Sequence, residues 1–498
     1  KIDKTKAKVT AIYEDSDVKN DKYFTQNRKL KLNINDRNFN ESSAKVHLTV
    51  DGVSEDYSID QIRKGEVKGI KLISDKVDSN DSKVASEYTD DRDVQYLFEV
   101  GDEDKVSHTY DVNFSYEKNK EIVNADFGDS VAPHGFVIDK VAPETKIVFN
   151  NGKGEEVDVS KDEKSPTYDN KKMSASLVVE ESNFDPKDVI VHVSSKNANG
   201  EDENKYTIDY EEAVKNGNWV TVGNTHTFVM NEFTKDSNYS LWFEYTDLAG
   251  NTSKTDTYYF TVDTTPPKGS ITIQGANGSS VYNELSSTAS FQHVSSGDFY
   301  VDNTASDETS GIASVQYYLY SPNVDAKGNF SVPTESELAN VQWSDWTGQL
   351  VIQPNRQVVV YQRIVDKAGN VTYVNSSGAI ISDNVAPNEA SISIKSSESS
   401  NGIYSGDVSA SIHAEEQVAG ATYSGLNTVK VEVLNGSTVT QTQTYNVGSL
   451  QDRNKTFDTN LVVDSKLNNS NFVTIRVTTT DWAGNTSVSE KKLVIDIT

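Results

Sequence analysis

The sequence predicts an all-β chain of four β-sandwich domains laid end to end in an elongated array. Three observations carry that expectation: a phrase that recurs at a long, nearly constant spacing, apolar residues that alternate with period two, and a scarcity of amphipathic helical windows. At ~100–200 residues per domain, 498 residues suit three or four domains. The 35% hydrophobic content is low for one large core and adequate for several small ones.

The repeat is the first element to justify, because a missed repeat miscasts the whole fold. Ala249-Gly250-Asn251, Ala368-Gly369-Asn370 and Ala483-Gly484-Asn485 recur, each with an aspartate two positions earlier, at Asp247, Asp366 and Asp481. Each is followed by a second aspartate, Asp263, Asp383 and Asp496, inside a junction phrase that also occurs at Ile138-Asp139-Lys140-Val141. Pro143, Pro267 and Pro387 lie four residues past three of these junction aspartates, and Ile2-Asp3-Lys4-Thr5 opens the chain on the same phrase. Spacings of 136, 124, 120 and 113 residues set the boundaries at 1–139, 140–263, 264–383 and 384–498. The chain begins and ends inside such a phrase, so we expect a segment of a longer array, its neighbouring repeats the first partners.

Within a repeat the period is two, as in half-buried strands. Tyr239, Leu241, Phe243 and Tyr245 share one face of 239–246, while Ser240, Trp242, Glu244 and Thr246 share the other. Val473, Ile475 and Val477 repeat the pattern, and Asn151-Gly152 and Asn216-Gly217 punctuate such runs. Only Asp209–Lys215 offers one short helical turn. Some seven or eight short strands per repeat suit an immunoglobulin-like sandwich, without the disulfide and tryptophan of antibody domains. In the Asp-x-Ala-Gly-Asn phrase, Gly can take positive φ and the Asp and Asn side chains can bond the turn's own backbone. The proline past each junction suits a first strand at a sheet edge. Strands rising ~3.3 Å per residue make each domain about 35–45 Å long and four in line about 150 Å.

Tyr245-Thr246-Asp247-Leu248-Ala249-Gly250-Asn251 running to Phe260-Thr261-Val262-Asp263-Thr264-Thr265-Pro266-Pro267, with its counterparts in repeats three and four, resembles the tandem bacterial immunoglobulin-like repeats of large surface proteins and adhesins. The resemblance implies extracellular display as stalk or spacer, sometimes beneath adhesive domains. The lack of cysteine makes such a chain look like a Gram-positive wall protein, although no Leu-Pro-x-Thr-Gly motif is present. Repeat one departs from the pattern, with Tyr116-Glu117-Lys118-Asn119 where the Asp-x-Ala-Gly-Asn turn belongs.

Composition excludes several function classes. A formal charge of −28 argues against a nucleic-acid partner. The same charge keeps a monomer soluble and disfavours self-association. With no cysteine, a disulfide framework, a Cys-ligated zinc site and a thiol nucleophile are excluded. No apolar run approaches the ~18 residues of a membrane span. The seven histidines, His47, His108, His134, His192, His226, His293 and His413, form no pair at metal-ligand spacing, and no nucleophile elbow, zincin or phosphate-loop motif occurs. We expect no enzyme and no required cofactor.

Calcium is the sharpest chemical expectation. Ca²⁺ takes six to eight oxygen ligands, which carboxylates at a domain junction can supply. The candidate ligands are Asp247 with Asp263, Asp366 with Asp383 and Asp481 with Asp496, each pair read as lying on the last hairpin near the next sandwich. The same aspartates could instead cap turns and fix the linker. Both roles stay open. Asp90-Asp91-Arg92-Asp93, Asp102-Glu103-Asp104 and Glu201-Asp202-Glu203 read as solvated loops. Trp343 and Trp346 are the candidate ligand-binding residues, through stacking on a glycan, with packing as the alternative. An intramolecular Lys–Asn isopeptide bond is permitted by the lack of cysteine, though no recurring pair marks one. The runner-up to a spacer is an adhesin module binding a host protein or glycan, or an accessory segment of a secreted carbohydrate-active enzyme.

Overall fold

The computed structural model describes residues 6–77, 93–203, 210–325 and 327–498. Asp3 and its opening phrase, and Asp90, Asp91 and Arg92, lie outside the described residues, as does Asp209 of the expected helical turn. Strands dominate the described residues, where they form eight sheets that follow the sequence two at a time. The chain divides into two compact units, Lys1–Val262 and Asp263–Thr498.

In the first unit, Lys8–Tyr13, Arg28–Asn35, Asp93–Val100 and Ile70–Val77 make one sheet in that order. Tyr23–Phe24, Phe136–Ile138, His108–Lys118, Lys45–Val50 and Val53–Tyr57 make another. Leu30, Leu32 and Phe98 from one sheet and Val46, Tyr110 and Phe136 from the other are buried in a common core. Residues 144–262 repeat the plan, with Glu144–Asn150, Ser174–Glu180 and Thr225–Val229 in one sheet and Thr167–Asp169, Tyr258–Val262, Ser237–Thr246 and Val189–Lys196 in the other. In the second unit, residues 268–382 and 391–495 each contribute two further sheets of the same kind. These are tandem immunoglobulin-like β-sandwiches, all-β as the alternation predicts.

The alternation is obeyed in detail. Along Ser237–Thr246 every second residue is buried, and Tyr239, Leu241, Phe243 and Tyr245 enter the core. Each such ring or aliphatic group contributes roughly 1.5–3 kcal/mol on burial. On the opposite face Trp242 stacks on His192 with ring centroids 3.8 Å apart. Helix is confined to short pieces, among them Tyr210–Lys215 within the expected turn, and Ile59–Arg63 and Glu335–Leu338, both opened by capping boxes. No helix among the described residues is long and apolar enough to cross a membrane.

The turns that leave the long strands His108–Lys118, Ser237–Thr246, Arg356–Asp366 and Ser470–Asp481 explain how repeat one differs. In repeats two to four the motif glycines Gly250, Gly369 and Gly484 have φ of 96°, 94° and 90°, a region that favours glycine. In repeat one the strand His108–Lys118 returns directly into Glu121–Asn124. Asn119 and Lys120 take φ of 51° and 69°, the two-residue turn whose twist suits a hairpin.

Candidate functional site

Three acid groups form where a junction meets the body of the repeat that follows it. Asp139, Glu181 and Asp247 make the first, Asp263, Asp307 and Asp366 the second, and Asp383, Glu416 and Asp481 the third. In each, one ligand atom per residue lies within 4.8 Å of the others. The first group lies within the first unit, the other two within the second.

Three structural positions generate each group. One acid ends the junction phrase. One directly follows the strand that pairs with the first strand of the repeat: Glu181 after Ser174–Glu180, Asp307 after Phe299–Ser306, Glu416 after Val408–Glu415. The third opens the Asp-x-Ala-Gly-Asn turn at the end of the long strand before that turn, as Asp366 ends Arg356–Asp366 and Asp481 ends Ser470–Asp481.

The turn reading of the motif is visible in hydrogen bonds. Asn251 donates its backbone N–H to Asp247 Oδ1 and its amide to Asp247 Oδ2, both at 2.9 Å. Asn370 does the same with Asp366 at 2.9 and 2.8 Å, and Asn485 with Asp481 at 2.8 Å in both bonds. The same amide reaches the junction. Asn251 Nδ2 donates to the Asp139 carbonyl at 3.0 Å, Asn370 to that of Asp263 at 2.7 Å, and Asn485 to that of Asp383 at 2.8 Å. The junction carboxylate is held as well. Asp139 Oδ2 accepts from Asn183 Nδ2 at 2.6 Å, Asp263 Oδ2 from the Ser310 N–H at 3.0 Å, and Asp383 Oδ2 from the Ser424 N–H at 2.7 Å. Asn183 of Asn183-Phe184 in repeat two, and Ser310 and Ser424 of Ser310-Gly311 and Ser424-Gly425 in repeats three and four, are thus alternative donors to one position.

The pairing expected from sequence needs correction. Asp366 joins Asp263, not Asp383, and Asp481 joins Asp383, not Asp496; Asp247 joins Asp139 and belongs to a different group from Asp263. The reason is strand direction. Arg356 pairs with Ser382 at the start of the strand Arg356–Asp366, whereas Asp366 ends it ten residues on, about 30 Å away at ~3.3 Å per residue. The two aspartates of one final hairpin therefore sit at opposite ends of their sandwich. Asp496 is exposed, its Oδ1 accepting from Thr498, and it joins no acid group among the described residues. Asp139, Glu181, Asp307 and Glu416 were absent from the candidate set.

Crowding has an electrostatic cost. Burial and the charges of Asp139 and Asp247 raise the pKa of Glu181, and burial with the Asp307 charge raises that of Asp263. In the third group, burial and then the Asp481 and Asp383 charges push Glu416 up to about 8, and burial lifts Asp481 to about 6. Each group thus favours added positive charge. Glu416, only 4% exposed, leaves Oε2 buried with no hydrogen-bond partner among the described residues. An orphaned carboxylate oxygen in an all-oxygen donor set fits a hard cation of the calcium type, which would offset most of the group's charge and tie a junction to the sandwich it enters.

The remaining candidates occupy packed positions. Trp346 is buried in the core of its sandwich, edge-on to Tyr317. Trp343 packs against Tyr318 and Tyr373 and donates Nε1–H to the Leu338 carbonyl at 3.0 Å. Asp102, Asp104 and His108 gather at the surface, where His108 bonds Asp51 at 2.7 Å and Asp104 at 3.0 Å.

No curated protein matches this chain. Among solved structures, a similar chain is the C-terminal domain of the Streptococcus agalactiae AgI/II polypeptide BspA. It is 10% identical, covers 52% of this chain and 100% of its own, and has a TM-score of 0.19. Residues 166–264 and 265–383 match the family described as bacterial Ig-like domain, which supports a surface-protein module. These two segments are consecutive bacterial Ig-like domains.

Proposed function

We propose that this chain is a non-catalytic spacer of a bacterial cell-surface protein, presenting adhesive or other functional domains away from a Gram-positive wall. Its work is mechanical: each sandwich buries its own core, and each junction passes orientation to the next. The observation that carries this reading is the thrice-repeated bond from the motif asparagine to the junction carbonyl, at Asn251, Asn370 and Asn485. A segment built only to link would not spend a side chain of each repeat on fixing its own point of entry. We extend the reading to calcium at the three acid groups, with Asp139, Glu181 and Asp247, Asp263, Asp307 and Asp366, and Asp383, Glu416 and Asp481 as its carboxylate ligands.

Small-angle scattering tests both parts. With calcium the wild-type chain should scatter as a stiff, elongated particle, and chelation or the triple substitution N251A/N370A/N485A should add flexibility. A compact particle, or one indifferent to all three asparagines, overturns the spacer. Indifference to chelation alone overturns the calcium.

A further inference from the structure

Repeat one builds the same corner of the sandwich with opposite chemistry. Asp36 follows the strand Arg28–Asn35 as Glu181, Asp307 and Glu416 follow theirs. Lys118 ends the strand His108–Lys118, where Asp366 and Asp481 end theirs and Asp247 follows Ser237–Thr246. Lys118 Nζ lies 2.8 Å from Asp36 Oδ1, and the Tyr116 hydroxyl donates to Asp36 Oδ2 at 2.5 Å. The Asp36 side chain is wholly buried and that of Lys118 is 11% exposed, so the pair sits in low dielectric, where a charge needs a partner.

We infer that Lys118 is a tethered cation, filling in repeat one the place that a divalent metal ion fills in the other three repeats. The inference rests on the calcium reading and adds to it a count and an exception. The sign of the exchanged residue supports it: the position that an acid holds in the three acid groups, at Asp247, Asp366 and Asp481, is held in repeat one by a lysine already seated on Asp36. The orphaned Glu416 Oε2 marks the same corner in repeat four as the one short of a positive partner. Repeat one is then the member of the array whose corner stays closed when calcium is scarce.

Native mass spectrometry of the full chain titrated with calcium reads the count directly. Asp247→Asn, Asp366→Asn and Asp481→Asn should each lose one bound ion relative to wild type, Asp36→Asn should lose none, and Lys118→Asp should gain one. An ion lost in Asp36→Asn, or none gained by a folded Lys118→Asp, overturns the tethered cation while leaving calcium in the other repeats intact. Should Lys118→Asp fail to fold, the Asp36→Asn count still decides. A wild-type chain that binds no calcium sinks the metal reading itself, and the inference with it. Hydrogen exchange supplies a second readout: the amides around Asp36 and Lys118 should show no chelator-dependent loss of protection, while those around Glu181, Asp307 and Glu416 should. Equal chelator sensitivity at Asp36 would overturn the inference.

Discussion

The junction at Asp139 and the junction at Asp383 share one hydrogen-bond scheme and differ in what surrounds it. At Asp139 the additional contacts are polar and peripheral: Asn183 Nδ2 also donates to Ser107 Oγ at 2.7 Å, and the exposed Asn20 donates to the Leu248 carbonyl at 2.9 Å. At Asp383 a second hydrophobic cluster spans the joint. Leu450 and Trp482 from the last repeat pack with Phe291, Val359 and Tyr361 of the one before. Arg453, 4% exposed, lies over the rings of Tyr423 and Phe291 at 4.1 and 4.7 Å and donates to Gln357 Oε1 at 2.9 Å. A common polar scheme sets the geometry of both joints, and apolar burial decides how strongly each holds, because burial scales with area and hydrogen bonds net only ~1 kcal/mol.

That contrast can be broken in graded steps, each read by urea denaturation of the full chain with separate probes in the two units. Arg453→Ala should cost the second unit about 3 kcal/mol, since it strips a buried charged donor and leaves Gln357 unmet. A loss below about 1 kcal/mol would show that the cation–ring stack is incidental. Leu450→Ala should cost about 2 kcal/mol and divide the unfolding of 263–498 into two transitions. A single unshifted transition would sink the claim that the apolar cluster couples the two repeats. Asn183→Ala should cost the first unit about 1 kcal/mol, its bonds to Asp139 and Ser107 lost together. Asn20→Ala, at an exposed position, should stay within about 0.5 kcal/mol. Reversal of the order between Leu450 and Asn183 would mean that the polar scheme, not burial, governs strength.

Much of this was legible in the chain itself. The strand faces follow from residues such as Leu241 and Phe243 standing two apart, and the turn chemistry of Asp247, Gly250 and Asn251 follows from residue type. The odd hairpin of repeat one was marked by Lys118-Asn119. The acid groups were only half legible. Asp139 and Asp247 are 108 residues apart, and their meeting depends on which end of a sandwich each strand reaches, a matter of direction that local spacing does not encode. Glu181, Asp307 and Glu416 share no phrase: Ser182-Asn183-Phe184 follows the first, Glu308-Thr309-Ser310-Gly311 the second, and the third stands eight residues before Ser424-Gly425. Their common mark is an acid placed directly after the strand that pairs with the repeat's first, a signal recoverable only by aligning repeats on their strands. Trp343 and Trp346 looked like ligand residues because rings can serve a core as well as a sugar, and only neighbours such as Tyr318 and Tyr317 tell the two apart.

One feature of the sheets has a mechanical consequence. In every repeat a short early strand runs parallel to the last: Tyr23–Phe24 beside Phe136–Ile138, Thr167–Asp169 beside Tyr258–Val262, Ser290–Ser295 beside Gly378–Ser382, and Ile403–Tyr404 beside the end of Thr486–Ile495. Traction applied at the two ends of a repeat slides such a pair lengthwise, so its ladder bonds bear the load together rather than opening one after another. The overlap is five residue pairs in the third repeat against two in the first and the fourth. Under a pulling force the third repeat should be the last to yield, and the ends of the chain should act as its shock absorbers.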